Sequence, residues 1–169
     1  MHQVVAELHT PKPGQVIVGA DGHVLTSTAF DALCFSETGK IAAEVLQVGE
    51  YELTVPETVT VFFSGEIPAG VTARDLGFSL AGEFGQSGLK DKFLQIYSPA
   101  IYDLPVSGKM AFCNVFGELV GNSACFLDDF DFAQEQKVRE ISLRLAEPLA
   151  AAPGSPVNVC QVKSLSEIR

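Results

Sequence analysis

The residues of this chain able to do chemistry fall in two stretches. In Gly19-Ala20-Asp21-Gly22-His23 a carboxylate and an imidazole stand two positions apart, and in residues 110–126, MAFCNVFGELVGNSACF, Glu118 is the one carboxylate of an apolar run that holds Cys113 and Cys125. A carboxylate beside a histidine is acid–base machinery, while a carboxylate near a thiol invites reading Glu118 and Cys113 as a reactive pair. Each has a plainer alternative. Glu118 also reads as a helix acid at a surface or capping position, Asp21 and His23 as a solvated turn, and His2 as a frayed terminal residue. The four cysteines, Cys34, Cys113, Cys125 and Cys160, form no CxxC pair and no regular metal spacing. They read as free thiols of a cytoplasmic protein, with Cys113 and Cys125 as small hydrophobes. The acids Asp128, Asp129 and Asp131 read as a solvated loop, a calcium or magnesium site being the alternative.

Charge narrows the partners. Eleven Lys and Arg stand against twenty-one acids, a net charge of −10, which argues against nucleic acid and anionic membrane. A local cation could still hold a small carboxylate, and the candidates are Arg74, Lys109, Arg139 and Arg144. With 169 residues, 47% hydrophobic and 19% charged, the chain can bury a proper core. No apolar run approaches the ~20 residues that span a bilayer, and the N-terminus lacks the basic-then-apolar layout of a signal peptide.

The elements that must position these residues alternate. Residues 15–19 form a β-branched run ending at the Asp21–His23 cluster, where sites in α/β proteins are commonly built. Residues 26–35 and 38–48 read as helices, the second capped by Thr38 and closed by Gly49. Residues 51–55, 58–64 and 92–97 read as strands. Between the last two lies a helix with Thr72 as N-cap and Asp75 three positions on, a capping-box pattern. Residues 99–104 read as a turn, Ser107 as a cap, and residues 110–126 as a helix whose buried face carries Phe112, Phe116, Leu119 and Val120, with Gly117 and Gly121 weakening it. Residues 137–145 alternate as a half-buried strand does. The expected organisation is an α/β domain over residues 1–146 and a linker and tail over residues 147–169. The fold expected is a three-layer α/β/α sandwich on a mainly parallel sheet of residues 15–19, 58–64 and 92–97.

In this order the motifs resemble an internal section of the large subunit of the aconitase and 3-isopropylmalate dehydratase family, nearer the isopropylmalate dehydratase and homoaconitase branch. His2-Gln3 and Asp21-Gly22-His23 are similar to the family's histidine and Asp-Ser-His motif. Ser36-Glu37-Thr38 through Val45-Leu46 is similar to its Gly-Thr-Ser-Glu-Val-Glu-His helix. Gly65-Glu66-Ile67-Pro68-Ala69-Gly70-Val71-Thr72-Ala73-Arg74-Asp75, after Val55-Pro56, resembles its Gly-Val-Thr-Ala-Lys-Asp segment. Cys113-Asn114-Val115-Phe116-Gly117-Glu118 resembles its Cys-Asn-Met-x-x-Glu motif, and Glu147-Pro148 with Ser155-Pro156-Val157-Asn158-Val159 the stretch before the cluster domain.

The resemblance implies an aconitase-like fold and a hydro-lyase that removes and re-adds water across a hydroxy-di- or tricarboxylate. In the family a [4Fe–4S] cluster with one open iron acts as Lewis acid. By position, Glu118 would belong to the polar shell around iron and hydroxyl, with His2, Asp21 and His23 assisting departure of water. Two positions depart from the pattern: Gly22 replaces the serine that contacts a substrate carboxylate, and Val24 replaces a threonine. The cluster cysteines, the arginines that bind substrate carboxylates and the base serine of the swivelling domain correspond to positions outside this chain, so the chain alone is expected to bind no cluster. Cys113 matches a cysteine that is not a ligand. The expectation is a split or truncated hydro-lyase needing a companion subunit. The alternatives are a non-catalytic domain binding a small carboxylate or a protein, and a metal-independent enzyme using His23, Asp21 and Glu118. A short sheet cut from a larger one would leave an exposed edge, so a homodimer is also expected.

Overall fold

A computed structural model describes residues 2–8, 10–85, 87–119, 123–129, 131, 137–155 and 157–167. The chain runs α1 (His2–Glu7), β1 (Val16–Gly19), a 3₁₀ helix (Gly22–Phe30), β2 (Leu33–Ser36), α2 (Gly39–Val48), β3 (Thr58–Ser64), α3 (Ala73–Phe84), β4 (Phe93–Tyr97), α4 (Pro99–Tyr102) and α5 (Val106–Phe116). It continues through β5 (Ala124–Leu127), β6 (Val138–Ser142), β7 (Leu149–Ala151) and β8 (Val159–Gln161), with short 3₁₀ turns after β6 and β8. Among these residues no helix is long and apolar enough to cross a membrane.

The architecture is α/β with parallel strands. Four form one sheet in the order β5-β4-β3-β6, every neighbour parallel. β1 does not join it as expected: it pairs with β2 in a separate parallel sheet, in register Val16 to Leu33 through Gly19 to Ser36. The reason is Leu33–Phe35, which the helical reading of residues 26–35 absorbed and which is a strand; the residues before it wind as 3₁₀ rather than α-helix. Ser123 ties the two sheets. Its wholly buried hydroxyl accepts from the Cys34 N–H of β2 at 2.8 Å, and its carbonyl accepts from Leu94 N–H of β4 at 3.1 Å.

Val61 and Phe63 of β3 are fully buried, Phe63 against α5. Phe112 of α5 meets Phe63 edge-on at 5.9 Å, Phe116 at 5.4 Å and Phe126 of β5 at 6.0 Å. Such pairs contribute about 0.5–1.5 kcal/mol each beyond their burial. On the opposite face of β3, Thr60 is buried yet satisfied, donating to Gln95 Oε1 at 3.1 Å.

Several local expectations hold. Thr38 caps α2 by accepting from Ile41 N–H, and Gly49 ends it at φ 78°. Asp75 reaches back to the Thr72 N–H at 2.7 Å, the second half of a capping box. Others differ. Residues 51–55 are not a strand, residues 99–102 are a helical turn, and α5 starts at Val106 with Pro105 as its cap, so Ser107 lies inside it. The helix expected over residues 110–126 stops at Phe116, and Ala124–Leu127 is a strand, because an apolar run with Gly117 near its middle reads alike for one long helix or a helix and a buried strand. Val120 and Gly121 of that reading, Pro156 of the last motif and residues 168–169 of the tail lie outside the described residues. The Pro/Ala/Gly stretch expected as linker carries β7, which pairs antiparallel with β8. Leu149 N–H of β7 donates to Asp75 Oδ1 at 2.7 Å and pins this hairpin to the start of α3.

Candidate active site

Asp21 follows β1 and is the N-cap of the 3₁₀ helix, its Oδ1 accepting from the His23 N–H at 2.8 Å. The same oxygen lies 2.8 Å from His23 Nδ1. This doubly used carboxylate fixes the imidazole, whose Nε2 then points toward Glu118 Oε1 at 3.7 Å. The His23 backbone N–H, then the imidazole, hold the Asp21 carboxyl at about 2, so it is anionic through the neutral range. His2 approaches from the other side, Nε2 to Asp21 Oδ2 at 3.7 Å, with its ring 6.1 Å from that of His23. The four residues named from the sequence, His2, Asp21, His23 and Glu118, thus stand together although three separate segments supply them. His2 lies in α1 against the 3₁₀ helix, its side chain 26% exposed.

Glu118 is a turn residue past the end of α5, and its neighbour explains its place. A Cβ on Gly117 would sit 3.0 Å from Gly22 O, so the backbones of the two motifs touch where neither has a side chain. Adjacent residues His23 and Glu118 are thereby brought face to face.

A cleft of about 540 Å³ opens in front of them, lined by His23 and Glu118, by Asn114 and Val115 of α5, by Arg74 and Phe78 of α3, and by Ala152, Gly154 and Ser155 of the β7–β8 turn. Asp21 and His2 do not line it. His23 and Glu118 therefore face the cleft, and Asp21 and His2 lie behind His23. The pairing of Glu118 with Cys113 does not form this site: Cys113 is fully buried, and burial, with the Cys34 thiol beside it, pushes its thiol well above the usual range.

The model of the aconitase family (aconitate hydratase) matches residues 1–164. The chain belongs to the aconitase family. It is 30% identical over 99% of its length to the 3-isopropylmalate dehydratase large subunit 1 of Methanopyrus kandleri, and 31% identical over 99% to the 3-isopropylmalate dehydratase large subunit of Nitratidesulfovibrio vulgaris. A probable methanogen homoaconitase large subunit of Methanosarcina mazei is 31% identical over 89% of the chain. The chain spans less than half the length of these relatives, 45%, 44% and 39% respectively.

The aconitase family generally uses a [4Fe–4S] cluster, and the surroundings of Cys34, Cys113 and Cys125 do not favour its ligation. Burial raises Cys34 and Cys125 to about 11 and Cys113 further, which favours the thiol over the ligating thiolate. Among the described residues no group of three or more His, Cys, Asp or Glu side chains converges as a metal site. Asp128, Asp129 and Asp131 are exposed.

Sequence reasoning left Arg74 undistinguished among four cations. The structure separates them: Arg139 pairs with Glu83, Lys109 lies over the Tyr102 ring at 4.4 Å and Arg144 lies beside Gly65, outside the cleft lining, while Arg74 lines the cleft. The available signal was spacing, since Arg74 and Phe78 are four apart on α3 and share a face. Ser155 carried no such signal, because the β7–β8 hairpin that brings it here looked like a linker.

Proposed function

We propose that this chain supplies the His23–Asp21–His2–Glu118 cluster of a hydro-lyase acting on a hydroxy-di- or tricarboxylate, with the cluster-binding part of the active centre contributed by polypeptide outside it, continuous or separate. The observation that carries this reading is the convergence of the four residues, from three segments, at one cleft. In a dehydration the C–O bond breaks and the departing hydroxyl takes up a proton to leave as water. His23, oriented through Nδ1 by the anionic Asp21, and Glu118 are placed to hold that proton on the cleft side; in the reverse reaction they take it from water. The relatives are named as large subunits, which supports a companion subunit for this chain too.

The test is complementation. The 169-residue chain is mixed with a polypeptide carrying the remaining portion of a large subunit and with a small subunit, and conversion of the hydroxy acid to its unsaturated product is followed by absorbance. Activity that needs all components and is lost with E118Q supports the reading; failure to associate and to react sinks it.

A second reading, a non-catalytic domain that binds a carboxylate or a protein, draws on Gly22, which supplies no hydroxyl to a ligand, and on α2. That helix buries no residue, and Leu46 and Val48 are 88% and 65% exposed. Beside it an apolar cavity of about 670 Å³ lies over β1 and β2. A second copy covering this face would make the chain a homodimer, read out by light scattering at tens of micromolar and reversed by L46E. Thermal shift against citrate, isopropylmalate and maleate reads out carboxylate binding.

A further inference from the structure

We infer that Arg74 is the recognition group for a second acid function on the ligand, so that the cleft selects dicarboxylates over monocarboxylates. This rests on the reading of the cleft as a hydroxy-acid site and names a residue that determines its specificity. Among the described residues Arg74 makes no ion pair; Lys12, Lys90, Lys109, Lys137 and Arg144 make none either, but of these six cations only Arg74 lines the cleft. Its guanidinium carbon lies 5.9 Å from the centre of the Phe78 ring one turn further along α3. Contact with a ring face restrains the planar group while leaving its N–H edges for a bidentate acceptor.

The surroundings point the same way. Among the described residues Arg74 is the one Lys or Arg lining the cleft, on a chain of net charge −10, and Glu118 lines the same cleft. A ligand with two carboxylates meets repulsion there unless a cation neutralises one of them. The Asn114 amide has no partner among the described residues, and the Ser155 hydroxyl, which accepts from Val157 N–H at 3.4 Å, keeps its own proton to donate. At the start of α3 the Asp75 carboxylate already bonds Thr72 N–H, and its own negative charge disfavours a second anion there. Recognition therefore falls on the side chain.

The experiment is calorimetric titration of the 169-residue chain with maleate and with isocrotonate, the same cis four-carbon skeleton bearing a methyl in place of one carboxylate. A charge-assisted contact of this kind corresponds to roughly ten- to hundredfold in affinity. Wild type is expected to prefer maleate by that factor, R74Q to lose the preference with isocrotonate affinity unchanged, and R74K to recover part of it, since the charge remains without the fork. Arg74 is exposed, so R74Q should fold as wild type, checked by circular dichroism. Undiminished maleate affinity in R74Q, equal loss of both ligands, or a wild type that does not bind or discriminate would each overturn the inference. H23N separates this from the underlying reading. If H23N abolishes both ligands while R74Q changes neither, the site stands and Arg74 has no part in it; if R74Q alone loses the diacid and H23N changes nothing, Arg74 stands and His23 falls.

Discussion

Two glycines on α3 make opposite predictions for the same substitution. Gly77 faces α5: a Cβ there would lie 2.7 Å from Val115 Cβ, 3.1 Å from Val115 Cγ1 and 3.2 Å from Phe112 O. Carbon atoms pack at about 3.5–4.0 Å, so the helices must part or shift by about 1 Å. Alanine gains about 1 kcal/mol in helix propensity, but overpacking a tight interface costs about 1–3 kcal/mol. G77A should therefore destabilise by up to about 2 kcal/mol net, a fall in Tm of roughly 2–4 °C per kcal/mol for a chain of this size. At exposed Gly82 on the same helix the added Cβ meets only Val159 Cβ, at an ordinary 3.9 Å. G82A should raise stability by up to about 1 kcal/mol. Urea denaturation of both variants beside wild type separates propensity from packing. The functional consequence is specific, because Arg74 and Phe78 flank Gly77 while Asn114 and Glu118 flank Val115, so forcing the helices apart also moves the walls of the cleft. G77A should weaken maleate binding, and G82A should not. A G77A protein as stable as G82A would refute the reasoning that glycine is there to let the helices touch.

Three further outcomes follow from single contacts. S123A leaves the buried Cys34 N–H without its acceptor and should cost about 1–3 kcal/mol, with faster hydrogen exchange at Cys34; unchanged exchange would mean the two sheets are not tied there. Burial raises the Asp75 carboxyl, but bonds from Leu149 N–H and from Thr72 outweigh it and leave it below its ordinary 3.8. A carboxyl lowered by folding contributes stability that is present above the unfolded value and lost as pH falls through the folded one, so D75N should flatten the loss of stability below about pH 4. At neutral pH D75N should also free the β7–β8 hairpin, seen as faster exchange at Leu149. G22S should be tolerated within about 0.5 kcal/mol, because a Cβ there meets only Gly117 O at 3.6 Å, and the restored hydroxyl should tighten maleate binding; a large fall in Tm would show that the turn needs glycine.

The chain's own order of residues determined a good deal. Parallel strands β3 and β4, the capped helices α2 and α3 and the strand leading to Asp21 were legible because their signals are local: period, cap and glycine stop lie within a dozen residues. The membership of His2, Asp21, His23 and Glu118 in one site was legible only through motif order. Their spacing along the chain says nothing of the 3.7 Å between His23 and Glu118, which depends on two backbones meeting at Gly22 and Gly117. Tertiary structure alone decided three matters. It placed β1 beside β2 rather than β3, since strand pairing is a contest among partners that no single segment encodes. It ended the helix at Phe116 and made a strand of Ala124–Leu127, since burial satisfies an apolar run in either form. And it set Arg74, of those four cations, in the wall of the cleft that the β7–β8 turn also lines, because which side chains line a cleft depends on segments far apart in the chain.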